Sequence, residues 1–143
     1  MDTLKKGYHC AYQTHYHIVF PVKYRKALLS EPIVQTLKAT TQALSERYEL
    51  EVEQIGTDQD HIHLLLSFHP KYSIGQVVRL YKSITARELF SNHPALKKEL
   101  WGGEFWSDGY YAATVSERGN WSVVENYVKK QGYKPEVVQL RLL

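Results

Sequence analysis

One cysteine in 143 residues, Cys10, leaves no internal disulfide and no cysteine-built zinc site, and it fits a reducing cytoplasm. Long apolar runs are also missing: none approaches the ~20 residues that a membrane span needs. The opening Met1-Asp2-Thr3-Leu4-Lys5-Lys6 lacks the apolar core of a secretion signal. A cytoplasmic chain with no membrane partner is therefore expected. There is no repeat, no low-complexity tract and no linker rich in proline, glycine or serine, so a single domain spanning 1–143 is the simplest organisation. Three motifs of common enzymes are absent: a glycine-rich phosphate loop, a Cys-x-x-Cys pair and a Gly-x-Ser-x-Gly elbow. Asp58 and Asp60 have no sequence-evident carboxylate partner for glycosidase-type work. Nor is either charge in large excess. The net charge of +3 permits an anionic partner without demanding one.

What remains is a chain with 43% hydrophobic and 23% charged residues, enough to bury a core. Its eleven tyrosines and three tryptophans are unusual. Most serve cores or interfaces, but aromatics also stack on unpaired bases. Tyr12 to Phe20 alternates with β-branched and aromatic residues and predicts a first strand. Ser30 stands as an N-cap before Pro32, with Val34, Leu37, Thr41, Leu44 and Tyr48 as the buried stripe of a helix. Leu50 to Ile55 and His61 to Phe68 predict two more strands around the turn 56–60. Ser73-Ile74-Gly75-Gln76 has the spacing of a capping box and opens a second helix reaching about Phe90. After an irregular stretch, Ser91 to Trp106, Tyr110 to Ser116 predicts a fourth strand. Ser122-Val123-Val124-Glu125 is another capping box, opening a short helix that Gly132 stops. The order is βαββαβ followed by a terminal helix. That is an α+β, ferredoxin-like sandwich: an antiparallel sheet with two helices on one face. Its core covers about 10–117, and the mobile C-terminal helix about 121–132.

The run Asp60-His61-Ile62-His63-Leu64-Leu65-Leu66 carries the strongest chemical signal. Side chains alternate along a strand, so His61 and His63 share one face while Ile62, Leu64, Leu66 and Phe68 take the other. With the helices packed on the apolar face, both imidazoles lie on the opposite one. Two neighbouring imidazoles can hold one divalent cation. His15-Tyr16-His17 has the same spacing on the first strand, and spacing alone does not separate the two pairs. Far downstream, Tyr127 and Gln131 stand four apart and share a helix face. A docking stripe of Val124, Tyr127, Val128 and Gln131 is ordinary, but a buried amide needs partners, and a metal would satisfy its carbonyl oxygen. A cation beside a presented phenol points to nucleophilic chemistry on phosphodiesters. Arg79, Lys82 and Arg87 on the polar side of the second helix, and Lys23 and Arg25 in Lys23-Tyr24-Arg25-Lys26, are candidate phosphate contacts. Each is otherwise a solvated face.

Taken together, His17-Ile18-Val19-Phe20 leading to Lys23-Tyr24-Arg25, then Asp60-His61-Ile62-His63-Leu64, and finally Glu125-Asn126-Tyr127-Val128-Lys129-Lys130-Gln131-Gly132 resemble the single-tyrosine HUH transposases of small bacterial insertion sequences, the insertion-sequence 200/605 type. The resemblance runs over nearly the whole chain with no departure at the key positions. It implies Tyr127 as nucleophile and His61, His63 and Gln131 as ligands of Mg²⁺ or Mn²⁺. It implies single-stranded DNA with hairpins at the element ends as substrate, in a bacterial or archaeal cytoplasm. It also implies a homodimer whose active sites are shared in trans. Two rivals remain: a domesticated repeat-processing relative or a replication or mobilisation nickase, and a non-catalytic ferredoxin-like RNA-binding module. The RNA module calls for base-stacking aromatics on the central strands, where this sequence has His61 and His63.

Overall fold

A computed structural model describes residues 4–7, 10–12 and 14–115. Tyr127, Gln131 and the helix expected at 121–132 lie outside the described residues. A small hairpin pairs β1 (Lys5–Gly7) with β2 (Cys10–Tyr12). The main sheet is built from β3 (His15–Pro21), β4 (Leu50–Thr57), β5 (His61–Phe68) and β6 (Tyr111–Val115). Its order is β4-β5-β3-β6, and all three pairings are antiparallel. With α1 (Glu31–Arg47) after β3 and α2 (Ile74–Asn92) after β5, this is the expected ferredoxin-like sandwich. A short α3 (Leu96–Glu99) interrupts the stretch expected to be irregular.

The expected first strand, Tyr12 to Phe20, is divided: Tyr12 belongs to the hairpin, and the sheet strand starts at His15. Strands of three residues are too short to leave a readable period. On α2 the predicted capping box forms in full. The Gln76 amide donates to Ser73 Oγ at 3.1 Å, and the Ser73 amide donates to Gln76 Oε1 at 2.8 Å. On α1, Ser30 occupies the N-cap with extended backbone, but its hydroxyl makes no capping bond; Pro32 fixes the start instead.

The core lies between the helices and one sheet face, where Ile18, Phe20, Ile62, Leu64, Leu66 and Phe68 meet Leu37, Leu44, Val78, Tyr81 and Leu89. Thr41 donates to the Leu37 carbonyl at 2.7 Å, so its oxygen is left to accept from Tyr81, whose hydroxyl lies 2.8 Å away. One polar contact thereby ties α1 to α2 without leaving a buried hydroxyl unpaired. Thr85 acts likewise, accepting from the Trp106 indole at 2.9 Å and donating to the Tyr81 carbonyl at 2.6 Å. That bond seats the segment before β6 on α2.

Candidate functional site

The other sheet face is built by the same alternation. Antiparallel register sets Pro21 opposite His61, Val19 opposite His63 and His17 opposite Leu65. Partners across a ladder share a face, so His15, His17, His61 and His63 all stand on the side away from the helices. All four are buried. The sheet thus unites two His-x-His pairs that are 46 positions apart in sequence.

Local contacts orient His61 first. Its Nδ1 lies 2.6 Å from Asp60 Oδ1. A carboxylate can only accept, so Nδ1 carries the proton and Nε2 keeps a lone pair. Asp60 is itself held: its carbonyl accepts from the Val22 amide at 2.8 Å, and its second carboxylate oxygen lies 3.4 Å from Arg25 Nε. The Leu29 amide reaches the Gln59 carbonyl at 3.0 Å, clamping the turn before β5 to the segment after β3. The turn that brings Arg25 there is strained. Tyr24 and Arg25 have φ of 60° and 53°, the left-handed region that costs a side-chain-bearing residue about 1–2 kcal/mol.

The His61 and His63 rings meet edge to face, centroids 4.7 Å apart. Among the described residues, His61 Nε2 and His63 Nδ1 are both buried without a hydrogen-bond partner. Burial pushes the His63 imidazole down to about 3, helped by the neighbouring His61 and His17, and burial alone takes His17 to about 4. The His63 and His17 rings are therefore neutral near pH 7 and present lone pairs. Buried imidazole nitrogens without partners cost free energy unless something binds them, and neutral imidazole is a ligand for first-row divalent cations. The donor set therefore fits a metal. Among the described residues, no group of three His, Cys, Asp or Glu side chains could hold one; the pair needs a further ligand. His17 stacks nearly parallel on His63 at 5.9 Å rather than converging with it.

The second pair is used differently in part. His15 Nδ1 meets Glu53 Oε1. Glu53 is the extra residue of a bulge, since Val52 pairs with Leu66 and Gln54 with Leu65. Bulges re-aim side chains, and this one puts a carboxylate on the histidine face. His15 thus has the same carboxylate-bound Nδ1 as His61, with a buried Nε2 that also lacks a partner among the described residues. No sequence signal marked that bulge.

The five candidate phosphate contacts are placed unequally. Arg79 and Arg87 are exposed on one side of α2. They flank a cleft of about 770 Å³ whose walls include Phe90, Trp106 and Tyr110. Lys82, between them, turns its ammonium onto the carbonyls of Ser107, Asp108 and Gly109 at 2.6, 3.2 and 3.1 Å. Burial pulls that ammonium below the usual lysine range. Lys23 pairs with Glu104 at 2.8 Å; this hydrogen bond raises the lysine's pKa and lowers the glutamate's. Arg25 faces Asp60, and its Nη2 is buried with no partner among the described residues.

Known proteins share this architecture. The family described as IS200-like transposase matches residues 10–131, a segment that ends at Gln131. The ISDra2 transposase TnpA of Deinococcus radiodurans is 36% identical over 128 residues, covering 90% of this chain and 91% of that protein. The transposase for insertion sequence element IS200 of Salmonella typhimurium is 29% identical over 123 residues, 86% of this chain and 80% of its own length. A crystal structure of a transposase from Deinococcus radiodurans superposes with a TM-score of 0.71 at 32% identity, over 89% of this chain and 97% of that one. A REP-associated tyrosine transposase bound to a REP hairpin has the same fold, with a TM-score of 0.59 at 10% identity over 94% and 77% of the two chains. The chain belongs to the IS200-like transposase family.

Proposed function

We propose that this transposase cleaves and rejoins single-stranded DNA at hairpin-bearing element ends, through a covalent bond to Tyr127 and with help from a divalent cation. The observation that carries this reading is the pair of buried nitrogens on His61 and His63 that have no partner among the described residues, one ring held in its tautomer by Asp60. Two imidazoles leave a site short of ligands, and the amide oxygen of Gln131 is the third in this reading. Mg²⁺ or Mn²⁺ bound there supplies polarisation of the scissile phosphate and offsets its developing charge.

The chain's own residues do the rest. A phenol with a pKa near 10 is a weak nucleophile at neutral pH, so Tyr127 must be held in line with the phosphorus. Its oxygen forms a bond to phosphorus as the bond to the 3′ oxygen breaks. The phenol loses its proton and the departing 3′ oxygen gains one. The product is a 5′-phosphotyrosine and a free 3′-hydroxyl. Attack by a 3′-hydroxyl on that bond reverses the step without ATP, because one phosphodiester replaces another. Asp60 keeps the proton of His61 on Nδ1, and Arg25 holds the second oxygen of the Asp60 carboxylate.

A domain spanning 1–143, and a homodimer in which Tyr127 serves the partner's histidines, complete the reading. The hairpin substrate accords with the hairpin bound by the REP-associated transposase of the same fold. The RNA-module alternative lacks support: on the central strands the face away from the helices offers His15, His17, His61 and His63, and the stacked pair Tyr16–Phe68 packs with the core. The test is to incubate the full chain with single-stranded element ends and Mn²⁺, then run denaturing electrophoresis. A protein–DNA adduct that vanishes in Tyr127→Phe supports the proposal; an adduct at wild-type level in that variant overturns it.

A further inference from the structure

Among the described residues only three large hydrophobic side chains are well exposed: Leu4, Tyr24 and Trp101. Two of them are neighbours. The Tyr24 hydroxyl reaches to within 3.9 Å of the position a side chain on Gly102 would take, next to Trp101. Both are displayed on anchored backbone rather than on loose loops. Trp101 is 83% exposed, yet Leu100 before it and Phe105 after it are each 1% exposed. The turn between is closed by the Gly103 amide on the Leu100 carbonyl at 2.9 Å, with Gly103 at φ 79°. Tyr24 is 55% exposed and held outward by its left-handed conformation. The Lys23 amide bonds the Phe105 carbonyl at 2.8 Å, tying the two turns together.

The surroundings are cationic. Lys23 stands over the Tyr24 ring at 5.6 Å and pairs with Glu104, while Lys26 pairs with Glu99 at the end of α3. Lys97 and Lys98 add exposed ammonium groups. Exposed aromatic faces set among lysines are the chemistry of sequence-tolerant single-strand binding, in which each base stacks on a ring and the backbone meets cations. The patch also adjoins the histidine pair: the residue after Tyr24 is Arg25, which reaches Asp60, which holds His61.

We infer that Tyr24 and Trp101 form a stacking platform for unpaired bases of the DNA strand that leads to His61 and His63. This rests on the proposed single-strand function and adds a path for the strand. The platform adjoins the Arg79–Arg87 cleft on α2, whose far wall includes Gly103 and Glu104 of the same turn.

The test uses the full chain and a labelled, unstructured oligodeoxynucleotide of mixed sequence, with affinity read by anisotropy at several salt concentrations. Trp101→Ala and Tyr24→Gly should each weaken binding roughly 5- to 150-fold, the range expected for one lost base stack. Trp101→Phe and Tyr24→Phe should stay within about threefold, since each retains a π-face. Glycine suits a φ of 60°, so Tyr24→Gly should melt no lower than wild type, separating the ring from the fold. The salt slope should be unchanged, because stacking releases no counterions. Unaltered affinity in both Trp101→Ala and Tyr24→Gly would overturn the platform. So would intact DNA affinity with lost self-association, which would make the patch a protein interface. The adduct assay on Tyr127 is independent: persistence of the adduct in Tyr127→Phe with weakened binding in the platform variants would sink the chemistry and leave the platform standing.

Discussion

Replacing Asp60 separates a contribution to folding from a contribution to metal binding. Its carboxylate makes two contacts of different weight. The pairing with Arg25, at 3.4 Å between side chains that are each 28% exposed, is worth at most about 1 kcal/mol. The 2.6 Å contact with the buried His61 is a charge-assisted bond worth about 1.5–3 kcal/mol. Asp60→Ala loses both and strands a buried N–H, so it should cost about 2–4 kcal/mol of stability. Asp60→Asn can still accept from His61 through its amide oxygen. It should cost only about 1 kcal/mol, a fall in Tm of about 3 °C. Metal affinity should respond more strongly, because the carboxylate fixes the ring's tautomer and orientation. Loss of such a partner weakens a site about 10- to 100-fold. Titration calorimetry of the full chain with Mn²⁺, beside thermal unfolding of the metal-free protein, reads both. The expectation for Asp60→Asn is a nearly wild-type Tm with at least a roughly tenfold weaker Kd. Unchanged Mn²⁺ affinity in Asp60→Asn, with affinity lost in His61→Ala, would refute the orienting role of Asp60.

Further expectations follow from the placement of the other candidates. His61→Ala and His63→Ala should each abolish metal-dependent cleavage, and Gln131→Ala should weaken it with partial rescue by excess Mn²⁺. His15→Ala should retain Mn²⁺ binding by calorimetry, and a loss confined to that variant would reassign the site to the first pair. Lys82→Met removes donors to three carbonyls and should lower stability by about 2–3 kcal/mol in denaturant titration, with little change in the salt dependence of DNA binding. Arg79→Ala with Arg87→Ala should instead reduce the slope of log affinity against log salt by about two; an unchanged slope places the DNA elsewhere. Mixing Tyr127→Phe with a His61→Ala/His63→Ala double variant should restore cleavage if sites are shared in trans, since one site of each mixed dimer then carries neither defect. No recovery in verified heterodimers would falsify the shared site.

The sequence made the main architecture legible because its signals were long and periodic. α2 announced itself by a capping box that forms as expected, and β5 by eight residues with apolar side chains on one face. That same alternation placed His61 and His63 on the side away from the helices. The hairpin of β1 and β2 was hidden because three-residue strands carry no period. The kinship of the two histidine pairs was hidden for another reason: alternation gives each strand two faces but does not reveal which faces become coplanar. Only the β3–β5 register decides that. Asp60 was visible beside His61, but Arg25, 35 positions away, closes on it through tertiary structure alone. The partition among the basic residues was equally illegible. Lys82 lies on the same polar side of α2 as Arg79 and Arg87, and only the position of the 107–109 carbonyls turns its ammonium inward.

The turn after β3 shows why its strain is retained. Two successive left-handed residues cost about 2–4 kcal/mol together, a large share of the 5–15 kcal/mol that holds a typical domain folded. Backbone hydrogen bonding does not require that geometry at these residue types. The amides of Val22, Lys23, Arg25 and Lys26 are all paired, and glycine at positions 24 and 25 would keep the same pairing without the strain. What glycine could not keep are the two side chains. Tyr24 stands outward beside Trp101, and Arg25 turns to the carboxylate that fixes His61. A side-chain-bearing residue held at positive φ points to a role for the side chain itself. Here two adjacent ones lead to different places, one to the surface and one to the histidine pair. In the proposed reading the turn joins strand capture to metal orientation, and Tyr24→Gly and Arg25→Gly should separate the two. The first should weaken oligonucleotide binding with Mn²⁺ affinity preserved. The second should weaken Mn²⁺ binding with most of the stacking contribution intact. Equal loss of both properties in both variants would mean that the turn acts as a single structural unit.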